Sequence, residues 1–367
     1  MLVVRSEIEC PRPDEGSLVT IGAFDGLHLG HRTIVAEVVD RARREGRRSA
    51  MVTFDRHPAQ VVRPESAPLL LTDLEQKLEL LSTTGLDVVV VVRFDEERAA
   101  EEAEDFVRGV LVDCLRATHV VVGEDFHFGR RRRGNVALLQ ELGAEHGFTV
   151  TGYRLVGPDG SAARDDAQVS STAIRRALAE GRLDDANHML GRPHEVRGPV
   201  AHGDRRGREL GFPTANVAVG ADLLVPADGI YAGWLVRADG TELPAAIYVG
   251  HRPTFYGDDA AVLVEAHVLD FEGDLYDERV AVRFTHRIRG DAAFDSAEAL
   301  AAQLRLDCDE ARRLLAGRRT APSRVSTATV VVVQGHRGGG SPRAGGVVSS
   351  SVRFVATVAV DGGAWAR

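Results

Sequence analysis

Lysine is almost absent from this chain of 367 residues, in which Lys77 is the only lysine among 45 basic residues. The surrounding sequence Leu-Glu-Gln-Lys-Leu-Glu-Leu has the pattern of an ordinary amphipathic helix. Because no Gly-Lys-Ser/Thr sequence exists, a phosphate-binding loop of that type is excluded, as is a site built on the strand lysine of protein kinases. If the protein handles ATP, it must use arginine, histidine, backbone amides and a metal.

Cysteine is scarce too, and the three cysteines, Cys10, Cys114 and Cys308, are far apart in sequence. Their odd number and wide spacing are typical neither of a disulfide framework nor of a metal-ligand cluster. The first residues lack the apolar core of a signal peptide. The longest apolar runs, such as Val88 to Val92, are far too short to cross a bilayer. These absences predict a soluble cytoplasmic protein without a membrane partner.

An excess of basic charge is also missing. The formal net charge of -9 argues against a general nucleic-acid binder, which normally carries a basic field to meet phosphates. Hydrophobic residues make up 44% of the chain and charged residues 27%, so most of it can bury a core. At roughly 100 to 200 residues per domain, the length predicts two domains and a tail.

Strand and helix patterns alternate from Ser17 to about Gly191. Short apolar segments predict strands over 18–22, 50–54, 87–92, 119–122 and 148–155. Helical patterns between them cover 32–44, 72–81, 100–115 and 135–146, the first closed by a glycine and the second opened by a capping box. The alternation predicts a Rossmann-like α/β domain with a parallel, doubly wound sheet and ligands near the C-terminal ends of its strands.

The pattern changes after Gly191 and again after Gly317. Short strands are predicted over 196–201, 215–219, 230–236, 245–249, 261–269 and 280–288, a spacing that favours a small antiparallel β-barrel, followed by a closing helix over 296–315. The last fifty residues are rich in glycine and serine, which predicts a mostly disordered tail in which Val330 to Val333 could form a strand if it found a partner. The predicted domains are therefore 1–187, 188–317 and the tail 318–367.

The first motif with chemical content is GAFDGLHLGHR, residues 22–32, which follows the first predicted strand and opens the first predicted helix. His28 and His31 bracket Gly30, so two imidazoles and the unpaired N–H groups of the helix could converge on one phosphate. Gly22, Gly26 and Gly30 would permit a tight turn and close approach of a ligand. The alternative is a glycine-rich turn with two exposed histidines, which the position at a strand-to-helix turn disfavours.

A second motif is VSSTAIRR, residues 169–176. Ser171 or Thr172 can cap a helix, and Arg175 would lie one turn further on, so that hydroxyls, amides and a guanidinium could grip a polyphosphate together. Taken alone, the motif is typical of a plain helix start with a surface arginine. Paired with the histidine motif, it predicts the second half of a nucleotidylyltransferase site.

Together with TFDRHP at 53–58 and VGEDFHFG at 122–129, these motifs resemble those of the bacterial bifunctional riboflavin kinase/FAD synthetase family. In the C-terminal half, the segments that resemble the riboflavin kinase module, in order, are GRELGFPTAN (207–216), DGIYA (228–232), YVGHRPTF (248–255) and VEAH (264–267) with Leu275-Tyr276. The resemblance runs from about Ser17 to Leu315. It implies an enzyme that makes FMN from riboflavin and ATP, then FAD from FMN and a second ATP, with Mg²⁺ in both steps.

For the kinase half, the resemblance implies that Glu265 is the catalytic base that deprotonates the primary hydroxyl of riboflavin. Strand alternation turns Glu265 away from the apolar face, as at a barrel mouth, although a solvent-facing glutamate on an amphipathic strand is the alternative. Thr214 and Asn216 are implied as ligands of Mg²⁺ and ATP, and hard Mg²⁺ prefers oxygen. The other residues implied for this half are Gly207 and Gly211 in the nucleotide loop and Arg289 near the flavin.

In the adenylylation half, the phosphate of FMN would attack the α-phosphate of ATP and release pyrophosphate. Because that phosphate is already a nucleophile, positioning and charge stabilisation suffice without a general base. The resemblance implies His28 and His31 for adenylyl transfer, the nucleotide-binding residues Gly22, Phe24, Gly30, Ser171, Thr172 and Arg175, and the flavin-site residues His57 and Asp125. The functions of Asp125 and of the arginine run 130–133 stay open, as does weak homo-oligomerisation.

Two alternatives to the bifunctional enzyme also stay open. One is a riboflavin kinase whose first domain is altered or inactive toward FMN. The other is a non-catalytic sensor that binds flavin without turning over ATP.

Overall fold

The structure is a computed structural model that describes residues 1–5, 10–153, 169–202, 211–252, 261–316, 325–333 and 354–361. The chain forms two compact units. The first comprises Met1–Pro68, Leu74–Gln168 and Arg324–Arg367, and the second comprises Leu69–Asp73 and Val169–Ser323. Among the described residues, no helix is both long and apolar enough to cross a membrane.

An eight-stranded sheet forms the centre of the first unit. Its strands are β1 (Leu2–Val4), β2 (Ser17–Ile21), β3 (Arg48–Phe54), β4 (Val88–Val92), β5 (Ala117–Gly123), β6 (Thr149–Tyr153), β13 (Val325–Val333) and β14 (Phe354–Asp361). They lie in the order β14-β13-β1-β4-β3-β2-β5-β6. Every neighbouring pair is parallel except β13 and β14. The predicted parallel sheet is therefore confirmed.

Helices cover both faces of this sheet, which is why its strands are almost continuously apolar. They are α1 (Leu29–Glu45), α2 (Ala59–Val62), α3 (Leu74–Ser82), α4 (Glu96–Ala99), α5 (Ala103–Phe106) and α6 (Val136–His146). α1 ends at Gly46, whose φ of 65° is the left-handed conformation that glycine tolerates best. Strand order reverses at β2, which pairs with β3 on one side and β5 on the other, so a crevice for a ligand is expected at the C-terminal end of β2.

The structure differs from the prediction in one helix and in the presence of a disulfide. The helix expected over 100–115 consists of α5, which continues as a π-helical segment over Val107–Cys114. Cys10 and Cys114 form a disulfide, contrary to the expectation from their spacing. Sequence separation is a poor guide here because the chain near Cys10 runs alongside the end of that segment, where the Arg12 amide donates to the Cys114 carbonyl.

The tail contributes two strands within the stretch that the sequence predicts to be mostly disordered. β13 pairs in parallel with β1, so that Val331 lies opposite Leu2, and β14 pairs with β13. The partner that Val330 to Val333 needed is thus the edge of the main sheet. The other residues of 318–367 lie outside the described part of the chain.

The second unit contains a closed antiparallel barrel, as predicted. Its strands are β7 (His194–Ala201), β8 (Ala215–Val217), β9 (Gly229–Val236), β10 (Glu242–Arg252), β11 (Ala261–Val268) and β12 (Arg279–Arg289), in the order β10-β11-β8-β7-β12-β9. The helices among the described residues of this unit are α7 (Ser171–Ala179), α8 (Leu183–Leu190) and α9 (Ala297–Leu315). α9 is the predicted closing helix, and it packs Cys308, Ala311 and Leu315 against the outside of the barrel at Trp234.

Candidate active sites

The loop that follows β2 folds back on itself around an aromatic ring. Phe24 has a φ of 48° and is buried, with its ring edge-on to the His31 ring at 5.0 Å. A Cβ atom on Gly22 would lie 3.1 Å from the Phe24 ring, so glycine leaves room for that ring. The loop therefore places its aromatic residue beneath the start of α1.

His28 and His31 lie together at the N-terminus of α1. His28 is buried and caps the helix, because its Nδ1 accepts from the His31 backbone N–H at 3.3 Å. The two rings are stacked with their centroids 3.6 Å apart. The first turn of α1 carries no acidic residue, which leaves the positive end of the helix dipole suited to an anion.

The Nδ1 atoms of His28 and His31 differ in their hydrogen bonding. His31 Nδ1 is buried and has no hydrogen-bond partner among the residues that the structure describes. Burial, followed by the nearby charges of His28 and Lys77, lowers the pKa of His31 well below its usual value. His31 is consequently a neutral imidazole near neutral pH, with a polar atom available for a substrate.

Lys77 lies below the same loop, although the sequence suggested an ordinary surface helix. Its side chain is buried, and Nζ donates to the Ala23 and Phe54 carbonyls, each at 3.1 Å. The missed signal is its position on the apolar stripe of α3, three residues after Leu74 and four before Leu81. A charge on that stripe predicts a buried partner.

His57 and Asp125, the residues implied for the flavin, occupy loops of the first unit. His57 Nδ1 accepts from the Ala59 N–H at 3.1 Å, so this imidazole caps the start of α2. Asp125 is exposed in a tight turn that the Phe126 amide closes onto the Gly123 carbonyl. Both residues are thus held by local structure after the C-terminal ends of β3 and β5.

The arginine run 130–133 follows the same loop region and is exposed. Arg130 donates to Glu102 at 3.2 Å, and Arg131 and Arg132 both have positive φ. These contacts show how the run is held, and its function stays open.

The helix start expected at the second motif belongs to the second unit, and its cap is a different residue from those predicted. Ser170 has an extended backbone and its hydroxyl accepts from the Ala173 N–H at 3.1 Å. Ser171 and Thr172 instead occupy the first helical turn, because the chain enters α7 one residue earlier. The Arg175 guanidinium, one turn on, donates from Nε to the Leu69 carbonyl at 2.6 Å.

In the barrel, Glu265 lies on β11 directly opposite Asn216 of β8 and Tyr248 of β10. Its neighbours Val264 and Ala266 are buried, whereas Glu265 is only partly buried, as the predicted alternation requires. The barrel therefore aligns the expected base with one of the two expected metal ligands.

The segment that carries Thr214 is fastened to β11 by a second side chain. His267 Nδ1 donates to the Pro213 carbonyl at 2.8 Å, and the His267 ring lies edge-on to Phe212 at 5.4 Å. Gly211 begins this segment with a φ of 84°. Gly207 falls outside the described residues, so its role in the nucleotide loop stays a prediction.

Arg289, the residue implied near the flavin, forms an ion pair with Asp307 of α9. Its Nε and a terminal nitrogen donate to the two Asp307 oxygens at 3.0 and 2.7 Å, and the guanidinium lies 5.7 Å from the centre of the Phe294 ring. Asp307 is buried and also accepts from Gln303. The pair joins the last barrel strand to the closing helix.

Comparisons with known proteins match both units. A model of the FAD synthetase family matches residues 10–173, and a model of the riboflavin kinase family matches residues 190–315. A Pseudomonas fluorescens protein named bifunctional riboflavin kinase/FMN adenylyltransferase is 40% identical over 306 residues, which cover 83% of this chain and 95% of the relative. The Escherichia coli K12 protein of the same name is 37% identical over 295 residues, covering 80% of this chain and 91% of the relative.

A solved structure from Streptococcus pneumoniae, described as a macrolide-efflux protein, is similar to this chain with a TM-score of 0.73 and 27% identity. The match covers 84% of this chain and 98% of that one.

Proposed function

The chain belongs to the family of bifunctional riboflavin kinase/FMN adenylyltransferases, and from that membership we propose which of its residues perform each step. The enzyme phosphorylates riboflavin with ATP to FMN and then adenylylates FMN with ATP to FAD and pyrophosphate. Because both family models match and the relatives are named for both activities, a kinase alone and a non-catalytic flavin sensor are disfavoured.

We assign adenylyl transfer to the loop after β2 and the N-terminus of α1. The observation that carries this assignment is the buried His31 Nδ1, which has no partner among the described residues and lies beside His28. The imidazoles and the helix N-terminus would stabilise the charge that develops on the α-phosphate when FMN attacks and pyrophosphate leaves. Gly22, Phe24 and Gly30 shape this loop around the nucleotide.

We assign Ser171, Thr172 and Arg175 to binding of an ATP polyphosphate. The amides and hydroxyls of the first turn of α7 suit phosphate oxygens. In this proposal Arg175 exchanges the Leu69 carbonyl for a phosphate when ATP binds, since a charge-assisted bond to phosphate is the stronger of the two.

We assign riboflavin phosphorylation to the barrel, with Glu265 as the base. Glu265 would take the proton of the primary hydroxyl as that oxygen attacks the γ-phosphate, and ADP would leave. The register that aligns Glu265 with Asn216 supports this role because the base must lie close to the phosphate-bound metal. Arg289 would then act near the flavin through its place at the end of β12.

Family enzymes of both kinds use ATP with a divalent metal, and we propose Mg²⁺. In the barrel, the Thr214 hydroxyl and the Asn216 amide oxygen would hold it. Two neutral oxygen ligands suit Mg²⁺, which commonly takes few ligands from a protein and the rest from phosphates and water. When bound, the ion would neutralise the polyphosphate.

The test is a flavin assay by chromatography with purified protein, MgATP and either riboflavin or FMN. We expect Glu265→Gln to stop FMN formation while FAD still forms from supplied FMN. We expect the double variant His28→Ala and His31→Ala to do the reverse. Matched controls are Glu272→Gln and His188→Ala, both at exposed positions of the barrel unit, which should leave both steps intact.

Loss of both steps in either test variant, with an unchanged melting profile, would contradict the assignment of the two reactions to two separate sites. Because both reactions consume ATP, we also propose that the enzyme acts in the cytoplasm, where ATP is available. Weak self-association stays a prediction, which sedimentation velocity over a range of protein concentrations would test.

A further inference from the structure

The only lysine of the chain is buried in the first unit. Arginine takes the other 44 of the 45 Lys and Arg positions, yet position 77 retains the compact ammonium group. Lys77 is 7% exposed and projects from the apolar stripe of α3 toward the ends of β2 and β3. A charged residue that is buried at this depth is rare unless specific partners hold it.

The partners of Lys77 form a closed hydrogen-bond set. Nζ donates to the Ala23 carbonyl at 3.1 Å, the Phe54 carbonyl at 3.1 Å and the Thr53 hydroxyl at 3.3 Å. The Thr53 hydroxyl in turn donates to the Ala23 carbonyl at 3.2 Å, so its oxygen is left to accept from the ammonium. An ammonium has three N–H donors and these are three acceptors, whereas a neutral amine would leave one of them without its donor.

These acceptors belong to the two segments that carry candidate substrate-binding residues. Ala23 lies in the loop that leads to His28, and Phe54 ends β3 just before His57. An arginine could not make the same set of bonds, because its planar guanidinium is larger and directs its donors into a fork. Lys77 therefore makes a set of bonds that arginine, the basic residue at every other Lys or Arg position of the chain, could not make.

We propose that Lys77 is a positioning residue for adenylyl transfer, which ties the loop at Ala23 to the end of β3 and so fixes His28 and His31 relative to the flavin side of the site. The inference rests on the proposed placement of adenylyl transfer at those histidines. The three N–H donors of Lys77 are taken by the Ala23 and Phe54 carbonyls and the Thr53 hydroxyl, so it acts through the backbone that it holds. A displacement of about 1 Å at a catalytic group can cost roughly 100-fold in rate.

The charge state of Lys77 provides a readout that a purely structural role would not move. Burial lowers its pKa to about 8, while the carboxylates of Asp25 and Asp55 oppose that shift. The other titratable groups nearby are the imidazoles of His28 and His31, and the Lys77 charge is one of the causes of the low pKa of His31. Adenylyl transfer should therefore decline as the pH rises through about 8, as the ammonium loses its third donor.

The decisive comparison uses Lys77→Met and Lys77→Arg in the full chain, with riboflavin phosphorylation in the same molecule as the internal control. We expect FAD formation from FMN to fall by roughly 100-fold in Lys77→Met, through kcat rather than KM, with no recovery in Lys77→Arg. The phosphorylation rate should stay within about twofold, because the barrel is a separate unit. Leu81→Ala, which empties a buried site on the same helix, is the control for lost stability alone and should retain most adenylyl transfer at temperatures below its melting point.

A second measurement needs no variant. Protein labelled with ¹³C at lysine Cε and carrying no lysine in its tag should show one lysine signal, with a titration midpoint near 8 that matches the alkaline limb of FAD formation. A midpoint above 10, full activity of Lys77→Met, or equal losses in Lys77→Met and Leu81→Ala would each overturn the proposal. If His28→Ala also kept full adenylyl transfer, the placement of the site would have failed; if only Lys77→Met kept it, this inference alone would have failed.

Discussion

Replacing Asp307 with alanine should loosen α9 from the barrel and lower the free energy of unfolding of that unit. The Asp307 side chain is 3% exposed and makes two hydrogen bonds to Arg289, whose side chain is 22% exposed. Removing one partner of a buried pair costs about 3 to 5 kcal/mol, because the remaining charge loses its compensation. Since water can reach part of Arg289, we expect the low end, about 3 kcal/mol, which corresponds to roughly 10 °C in melting temperature.

The converse change, Arg289→Met, should cost more than Asp307→Ala. It leaves a carboxylate that is 3% exposed without its guanidinium, and Gln303 alone cannot compensate a full charge. The expected loss is about 4 to 5 kcal/mol. Because the double variant leaves neither charge unpaired, its loss should be smaller than the sum of the two single losses, which is the signature of direct coupling.

Urea unfolding and thermal melts of the four proteins would measure this cycle. Glu310→Ala is the matched control, since Glu310 pairs with Arg313 on the same helix but in a solvent-exposed bridge, where screening leaves little stabilisation. If Asp307→Ala were no more destabilising than Glu310→Ala, the argument for a buried anchor would be refuted. FMN formation should also be measured at low temperature, where the variants are folded, to distinguish lost stability from a direct role of Arg289 in flavin binding. A larger loss of kcat/KM for riboflavin in Arg289→Met than in Asp307→Ala would indicate direct contact with the substrate.

Three further predictions follow from other parts of the chain. Burial opposes ionisation of Glu195, but two neighbouring arginines outweigh it and lower its pKa to about 2, so the protein should lose stability as the pH falls from 4.5 toward 2. In urea unfolding measured over that pH range, Glu195→Gln should reduce the dependence of the free energy of unfolding on pH. An unchanged pH dependence would contradict the prediction. Alkylation in denaturant without reductant should label Cys308 alone, because Cys10 and Cys114 are joined, and labelling of all three in protein purified without reductant would contradict the disulfide. Truncation after Gly317 should preserve FMN and FAD formation in the flavin assay, and loss of both would show that the tail is needed.

Local patterns predicted the architecture well, since β-α alternation and short strands with turn residues report on neighbouring residues. The sequence predictions failed where several neighbouring residues suited the same role or where one apolar pattern fitted two kinds of helix. Ser170, Ser171 and Thr172 can all cap a helix, and the path by which the chain enters α7 selects the first of them. The π-helical segment Val107–Cys114 was missed for a similar reason, because its apolar spacing also fits an α-helix.

The larger omission of the sequence predictions was contacts between residues that are far apart in the sequence. Lys77 binds acceptors that lie 23 to 54 residues away in sequence, and Cys10 pairs with a residue 104 positions away. Periodicity places Lys77 on a buried stripe, and it does the same for Asp307, four residues before the buried Ala311. A charge on an apolar stripe thus predicts that a partner exists, but only the fold identifies the partner.

The contacts of Arg175 and Arg289 also bear on how an enzyme with a net negative charge binds anionic substrates. The residues after Gly317 carry seven arginines and one aspartate, a charge of +6, so the rest of the chain carries -15 rather than -9. The Asp307 carboxylate offsets the charge of Arg289, and the Nε of Arg175 already donates to the Leu69 carbonyl. We therefore expect helix N-termini, the His31 imidazole and the metal that ATP brings to contribute to phosphate binding beside the arginines. Such groups act only at short range, which makes the geometry that Lys77 maintains more important than the overall field.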